Sequence, residues 1–119
     1  MGKYKNEKIT VDGETFDSQK EYRRWKALRL LERAGIIQDL KRQVKFTLLP
    51  EIREPPVIGP RGGLKPGKQI EKPVTYIADF VYTRDGQTVV EDTKGFRTAE
   101  YIIKRKLMHH VHGIRILET

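Results

Sequence analysis

Two adjacent stretches of this chain put acids where the inside of a sheet should be apolar. Asp79 lies between Ala78 and Phe80 within Val74-Thr-Tyr-Ile-Ala-Asp-Phe-Val-Tyr82, otherwise the strongest strand signal in the sequence. After the turn residues Arg84-Asp85-Gly86 comes Thr88-Val-Val-Glu-Asp-Thr-Lys94. Strand alternation puts Asp92 and Lys94 on the face of Val90, with Val89, Glu91 and Thr93 on the other. Taking a lone carboxylate out of water is expensive, so such a cluster must be paired or must hold a cation. One or two carboxylates that leave room for waters and a substrate phosphate suit Mg²⁺, with Mn²⁺ as a substitute. Lys94 could orient or deprotonate a water beside them, or neutralise charge building on a phosphate. Phosphodiester hydrolysis is the chemistry that needs this set.

A third acid points the same way. Glu21 falls between Trp25 and Leu28 on a helical wheel, at the centre of an apolar face formed with Leu31. Ser18-Gln-Lys-Glu21 also fits a capping box, in which the glutamate only bonds back to its own helix start. The metal-site role is favoured, because a capping glutamate normally sits on the rim.

The elements that must carry these residues read in order. Asp12-Gly13 within Lys8–Phe16 predicts an N-terminal β-hairpin with a type I′ turn. Ser18 and Gly35 bracket one helix, and Thr98 and Gly113 a second whose apolar side is Tyr101, Ile102, Leu107 and Met108. Ile36-Ile37, Val44–Leu49 and Ile114–Leu117 supply further strand material. All six prolines fall between Pro50 and Pro73, a span with little periodicity. It reads as a mobile basic flap, part of it an irregular hairpin, and not as a linker. A single α/β (α+β) domain follows, a central mixed β-sheet flanked by α-helices.

Composition narrows the partners. The 119 residues carry 24 Lys+Arg against 16 Asp+Glu, a net charge of +8. A sequence pI near 9.8 is the footprint of a polyanion binder. No apolar run nears the roughly 18 residues a bilayer demands, and the Met-Gly-Lys-Tyr-Lys start lacks a secretory signal. With no cysteine, a disulfide scaffold is excluded and a cytoplasmic location is expected. Lys41, Arg42, Lys45, Arg61, Lys65, Lys68, Arg97, Lys104, Arg105 and Lys106 are candidate phosphate contacts, each also readable as a plain surface charge. Gln43 and Glu91 are possible supports of the acidic site, and a bulge of one residue would bring Glu91 in and turn Asp92 out. His109-His-x-His112 lacks a cysteine or nearby carboxylate to complete a zinc set and suits a helix C-terminus. Trp25, Tyr76 and Tyr82 read as core. Gly59-Pro-Arg-Gly-Gly63 fits no phosphate-cradling loop, so no nucleotide cofactor is expected.

In combination these residues resemble the PD-(D/E)XK nucleases, the restriction-endonuclease-like superfamily. Closer still, the chain is similar to small phage and prophage Holliday-junction-resolvase-like endonucleases. Phe16, Ser18, Glu21 and Arg24 match the family's start, Leu40 to Gln43 a middle segment, and Asp79-Phe80 and Glu91-Asp92-Thr93-Lys94-Gly95 its two strands. The match runs in order over nearly the whole chain apart from the flap. Ala78 stands where the superfamily name has proline, and Asp92 where it often has glutamate. The resemblance implies a restriction-endonuclease-like core. It also implies Asp79 and Asp92 as metal ligands, Lys94 as the catalytic lysine and Glu21 as a helix acid. The implied activity is Mg²⁺-dependent cleavage of DNA, branched or junction DNA above all, in recombination. Paired cuts by so small a chain would need a homodimer. A nicking or transposase-type nuclease, or a non-catalytic basic DNA-binding module, are the alternatives.

Overall fold

The computed structural model describes residues 7–119. Its elements run β1 (Ile9–Val11), β2 (Glu14–Phe16), α1 (Gln19–Arg33), β3 (Gln38–Leu49), β4 (Ile52–Arg53), β5 (Val57–Ile58), β6 (Leu64–Lys65), β7 (Gln69–Glu71), β8 (Val74–Arg84), β9 (Gln87–Asp92), α2 (Ala99–His112) and β10 (Leu117–Glu118). The architecture is mixed α+β. A four-stranded sheet in the order β10-β9-β8-β3 is antiparallel except for the parallel β10–β9 pair. None of the described helices is long and apolar enough to cross a membrane.

Local chemistry accounts for most boundaries. Asp12-Gly13 and Asp85-Gly86 have φ of 52° and 81°, and 51° and 76°, the positive pairs that tight hairpins need. The Ser18 hydroxyl accepts from the Glu21 N–H at α1, and the Thr98 hydroxyl from the Tyr101 N–H at α2. Gly113, at φ 69°, lets α2 end in the left-handed conformation.

Other boundaries differ from the sequence expectation. Ile36-Ile37 forms no strand; it belongs to the turn after α1, and Ile37 is buried against Leu28. β3 starts at Gln38, six residues before Val44, although Asp39 and Gln43 have φ of 55° and 52°. Positive φ is uncommon for residues with a Cβ, so neither residue reads as strand. The closing strand is Leu117–Glu118, held because Thr119 N–H donates to the Asp92 carbonyl at 3.0 Å.

Two clusters sandwich the sheet. Leu28, Ile37, Phe80 and Tyr82 pack under α1 with Trp25, Leu31 and Val89. Leu48, Tyr76, Ala78, Val90, Tyr101 and Met108 pack under α2 with Phe46 and Val81. Side chains two apart on a strand share a face, yet Ala78 joins the α2 cluster and Phe80 the α1 cluster. The faces of the β3–β8 hairpin therefore exchange where Gln43 lies across from Asp79.

Glu118 ties β10 to α2. Its carboxylate accepts from Tyr101 Oη at 2.6 Å, Arg97 Nε at 2.9 Å and Arg105 at 3.2 Å. The Arg97 hydrogen bond, then that of Tyr101, holds this carboxyl down at about 2. A folded value below the ordinary 4.5 means stability that is present above about pH 5 and lost as pH falls towards 2. In urea melts at pH 7 and pH 2.5, wild type should exceed Glu118→Gln by a much larger margin at the higher pH. An equal gap at both values would remove Glu118 from the acid response.

Candidate metal and phosphate site

Asp79, Asp92 and Lys94 come together at the end of β9. Register carries the pairing Phe80↔Glu91 one step on, so Asp79 lies across from Asp92. The two carboxyl groups are close enough for Asp79 to raise the pKa of Asp92. Asp92 is buried, and its Oδ2 accepts from Tyr76 Oη at 2.7 Å and lies 3.3 Å from Lys94 Nζ. Burial first, then the neighbouring Asp79, pushes the Asp92 carboxyl up to about 7. Lys94 also rests 4.2 Å over the Tyr101 ring, which keeps the ammonium beside the acids.

β9 ends at Asp92, so alternation stops there. Lys94 is not a strand residue; its N–H donates to the Thr119 carbonyl at 3.2 Å. Thr93, expected on the far face, instead turns both its N–H (2.9 Å) and its hydroxyl (3.1 Å) onto Asp79 Oδ2. Sequence reasoning missed Thr93 and the direct role of Tyr76. The only available signal for Thr93 was its place at the strand's last residues, where pleating can fail.

Glu21 is buried at the start of α1. Its Oε2 lies 3.3 Å from an Arg42 nitrogen and 3.4 Å from Gln43 Nε2. Its N–H donates to Ser18 Oγ at 3.1 Å, so half of the capping box is met as well. Burial, followed by the charges of Asp79 and Asp17, raises its pKa above the usual 4.5. The helix acid is thus close enough to Asp79 to feel its charge.

Glu91 goes elsewhere. Fully buried on the α1 side, it takes Arg24 in a two-pronged ion pair, 2.9 Å from Nε and 2.7 Å from Nη2, and the Tyr82 hydroxyl at 3.3 Å. That pairing keeps Glu91 off the face shared by Asp79, Asp92 and Lys94.

The donor set is oxygen only. Among the described residues no three His, Cys, Asp or Glu side chains form a metal-holding group. The donors at the centre are the two aspartates, with Glu21 behind them. Such a pair fits an ion that fills most of its shell with water and phosphate, and fits zinc poorly.

Residues 1–115 match the sequence pattern of a family described as protein of unknown function (DUF1064). The chain belongs to this family. No curated protein and no solved structure matches it.

Several cations of this DUF1064 chain are spent inside the fold. Arg42 is the main correction to the phosphate-contact expectation. Its side chain is 11% exposed, and its guanidinium sits 3.9 Å over the Phe16 ring and donates to the Thr15 carbonyl at 3.0 Å. It seals the β1–β2 hairpin onto the sheet. Arg97 and Arg105 pair with Glu118, and Lys104 with Glu100 at 3.7 Å. Lys41, Lys45, Arg61, Lys65, Lys68 and Lys106 are exposed and make no ion pair among the described residues. Lys106 and Arg115 line a cleft of about 340 Å³ beside α2. His112 lies 2.8 Å from the Thr47 carbonyl and edge-on to Phe46, which gives one of the three histidines a packing role.

Proposed function

We propose that this protein is a Mg²⁺-dependent endonuclease with a restriction-endonuclease-like core that hydrolyses phosphodiesters in branched DNA. One observation carries the reading: two carboxylates on neighbouring strands, Asp79 and Asp92, share a half-covered point with the Lys94 ammonium. A net-basic chain that gathers acids at one place has built a spot for a cation and, beside it, a phosphate. Asp79 and Asp92 would hold the ion. Once bound, it would polarise the phosphoryl group and lower the pKa of the attacking water.

The chain's own groups do the rest. Thr93 fixes the Asp79 carboxylate with two donors and Tyr76 fixes that of Asp92, so neither acid swings when a phosphate arrives. Lys94, held on Tyr101, presents a positive charge to the non-bridging oxygen where charge grows. Glu21 adds negative charge on the helix side and gives a displaced proton somewhere to go. The exposed lysines and Arg61 track the neighbouring phosphates. Preference for branched substrates rests on the family resemblance, and a homodimer would deliver paired cuts.

The test is a cleavage panel of four-way junction, flap, single-stranded and linear duplex DNA, with 5 mM Mg²⁺ or with chelator, at a concentration of ~1 µM protein. Junction cutting that stops with chelator is the expected result. If every substrate stays intact with Mg²⁺ and with Mn²⁺, the chain is a basic binding module and the acids only pair with Lys94.

A further inference from the structure

The span from Pro50 to Pro73 builds an arm. Pairing runs on from the β3–β8 hairpin through Leu49↔Val74, Ile52↔Glu71 and Arg53↔Gln69 to Val57↔Lys65 and Ile58↔Leu64. Between the two short paired sections, Glu54 N–H donates to the Lys68 carbonyl at 2.8 Å and Arg53 to the Gly67 carbonyl at 2.8 Å. Gly67 is required there, because any Cβ would run into the Glu54 carbonyl. The turn closes with Gly59 N–H to Gly63 O at 2.7 Å. Nine residues of ribbon beyond Leu49 reach about 30 Å. The radius of gyration, 18.9 Å, accordingly exceeds the roughly 13 Å of a compact chain this long.

The tip of this arm has an unusual make-up. Ile58 and Leu64 are directly cross-paired, so they share a face, and they are 76% and 77% exposed. Arg61 lies in the turn at the tip, Lys65 pairs with Val57 on the ribbon's other face, Lys68 follows β6, and residues 57–68 contain no acid. An apolar pair at the end of a cationic two-stranded ribbon matches the dimensions of a DNA groove, where such side chains wedge between base steps.

We propose that the arm is a duplex-engaging wedge: its cations seat the ribbon in a groove and Ile58 and Leu64 enter an opened base step. Open steps at a branch point cost least to enter, so the arm selects distorted or branched DNA. The inference rests on the DNA reading above but not on catalysis.

It is tested with the full chain in chelator, using four-way junction and linear duplex carrying a donor and acceptor dye. Ile58→Ser/Leu64→Ser should bind the junction about tenfold more weakly and lose the energy-transfer change, with its salt dependence unaltered. Arg61→Ala/Lys65→Ala should instead reduce the salt slope by about 2. Both pairs are exposed, so circular dichroism melts should match wild type. Wild-type distortion and affinity in the serine variant would overturn the wedge while leaving chelator-sensitive cleavage intact. A serine variant that alters only the sedimentation coefficient would mean that the tip meets another protein chain, which also overturns it. Should wild type bind neither DNA, the wedge falls together with the DNA reading.

Discussion

Asp79→Asn should cut junction cleavage by about 10³-fold or more, equivalent to roughly 4 kcal/mol of transition-state stabilisation, while leaving the protein folded. The asparagine oxygen still accepts from the Thr93 N–H, now 2.9 Å from Asp79, so the local geometry has its anchor. What disappears is the negative charge facing Asp92, and with it half of the oxygen pair that would hold the ion. Junction binding measured in chelator should stay the same or tighten, since one charge repelling phosphate has gone. Lys94→Ala should lower the rate by a comparable factor without weakening binding much, because a single exposed-side ammonium adds little affinity in water. Rates from single-turnover gels, beside affinities from fluorescence anisotropy, separate these effects. An Asp79→Asn protein that cleaves within tenfold of wild type would end the assignment of this site.

Arg24→Ala should cost the fold about 3 kcal/mol, the largest single loss expected from a charged residue here. Glu91 is fully buried, and Arg24 supplies the main donors to its carboxylate. Removing them strands a charge in the α1 cluster with only the 3.3 Å Tyr82 hydroxyl beside it. Arg24 is itself 30% exposed, so the reverse change, Glu91→Gln, should cost less: the guanidinium can turn to water. The double change Arg24→Met/Glu91→Leu should recover most of the loss, as apolar replacements of buried ion pairs often do. Urea denaturation of the three variants measures all of this. A loss below about 0.5 kcal/mol for Arg24→Ala would reduce the pair to surface chemistry. The pair also joins α1 to β9, and so sets Glu21 relative to Asp92, which makes cleavage by Arg24→Ala a sensitive second readout.

Much of this was legible in the residues. Asp-Gly turns, Ser18 and Thr98 caps and Gly113 are local devices whose energies depend on a few neighbouring atoms, so their positions follow from short segments. Alternation along Val89–Asp92 likewise separated Glu91 from Asp92, and the helical wheel turned Glu21 inward. Arg42, by contrast, looks like any surface cation in the run Lys41-Arg42-Gln43. Only the hairpin folded across it makes it a buried stacking group. Gln43 and Asp39, at positive φ, hid the first half of β3 from any propensity argument. The Pro/Gly composition of residues 50–73 allowed only a flap that is in part an irregular hairpin to be read, because the arm's continuous pairing is inherited from β3 and β8 and not from its own β-formers.

The amino-acid order on its own therefore determined the types and faces of the acids, the turns and the helix ends, since each depends on spacing along one segment. Tertiary structure alone decided which partners those acids meet. Thr93 on Asp79, Tyr76 on Asp92 and Arg24 on Glu91 bring together residues 14, 16 and 67 apart in the chain. Contacts over such separations depend on how sheet and helices pack, a matter no local pattern encodes.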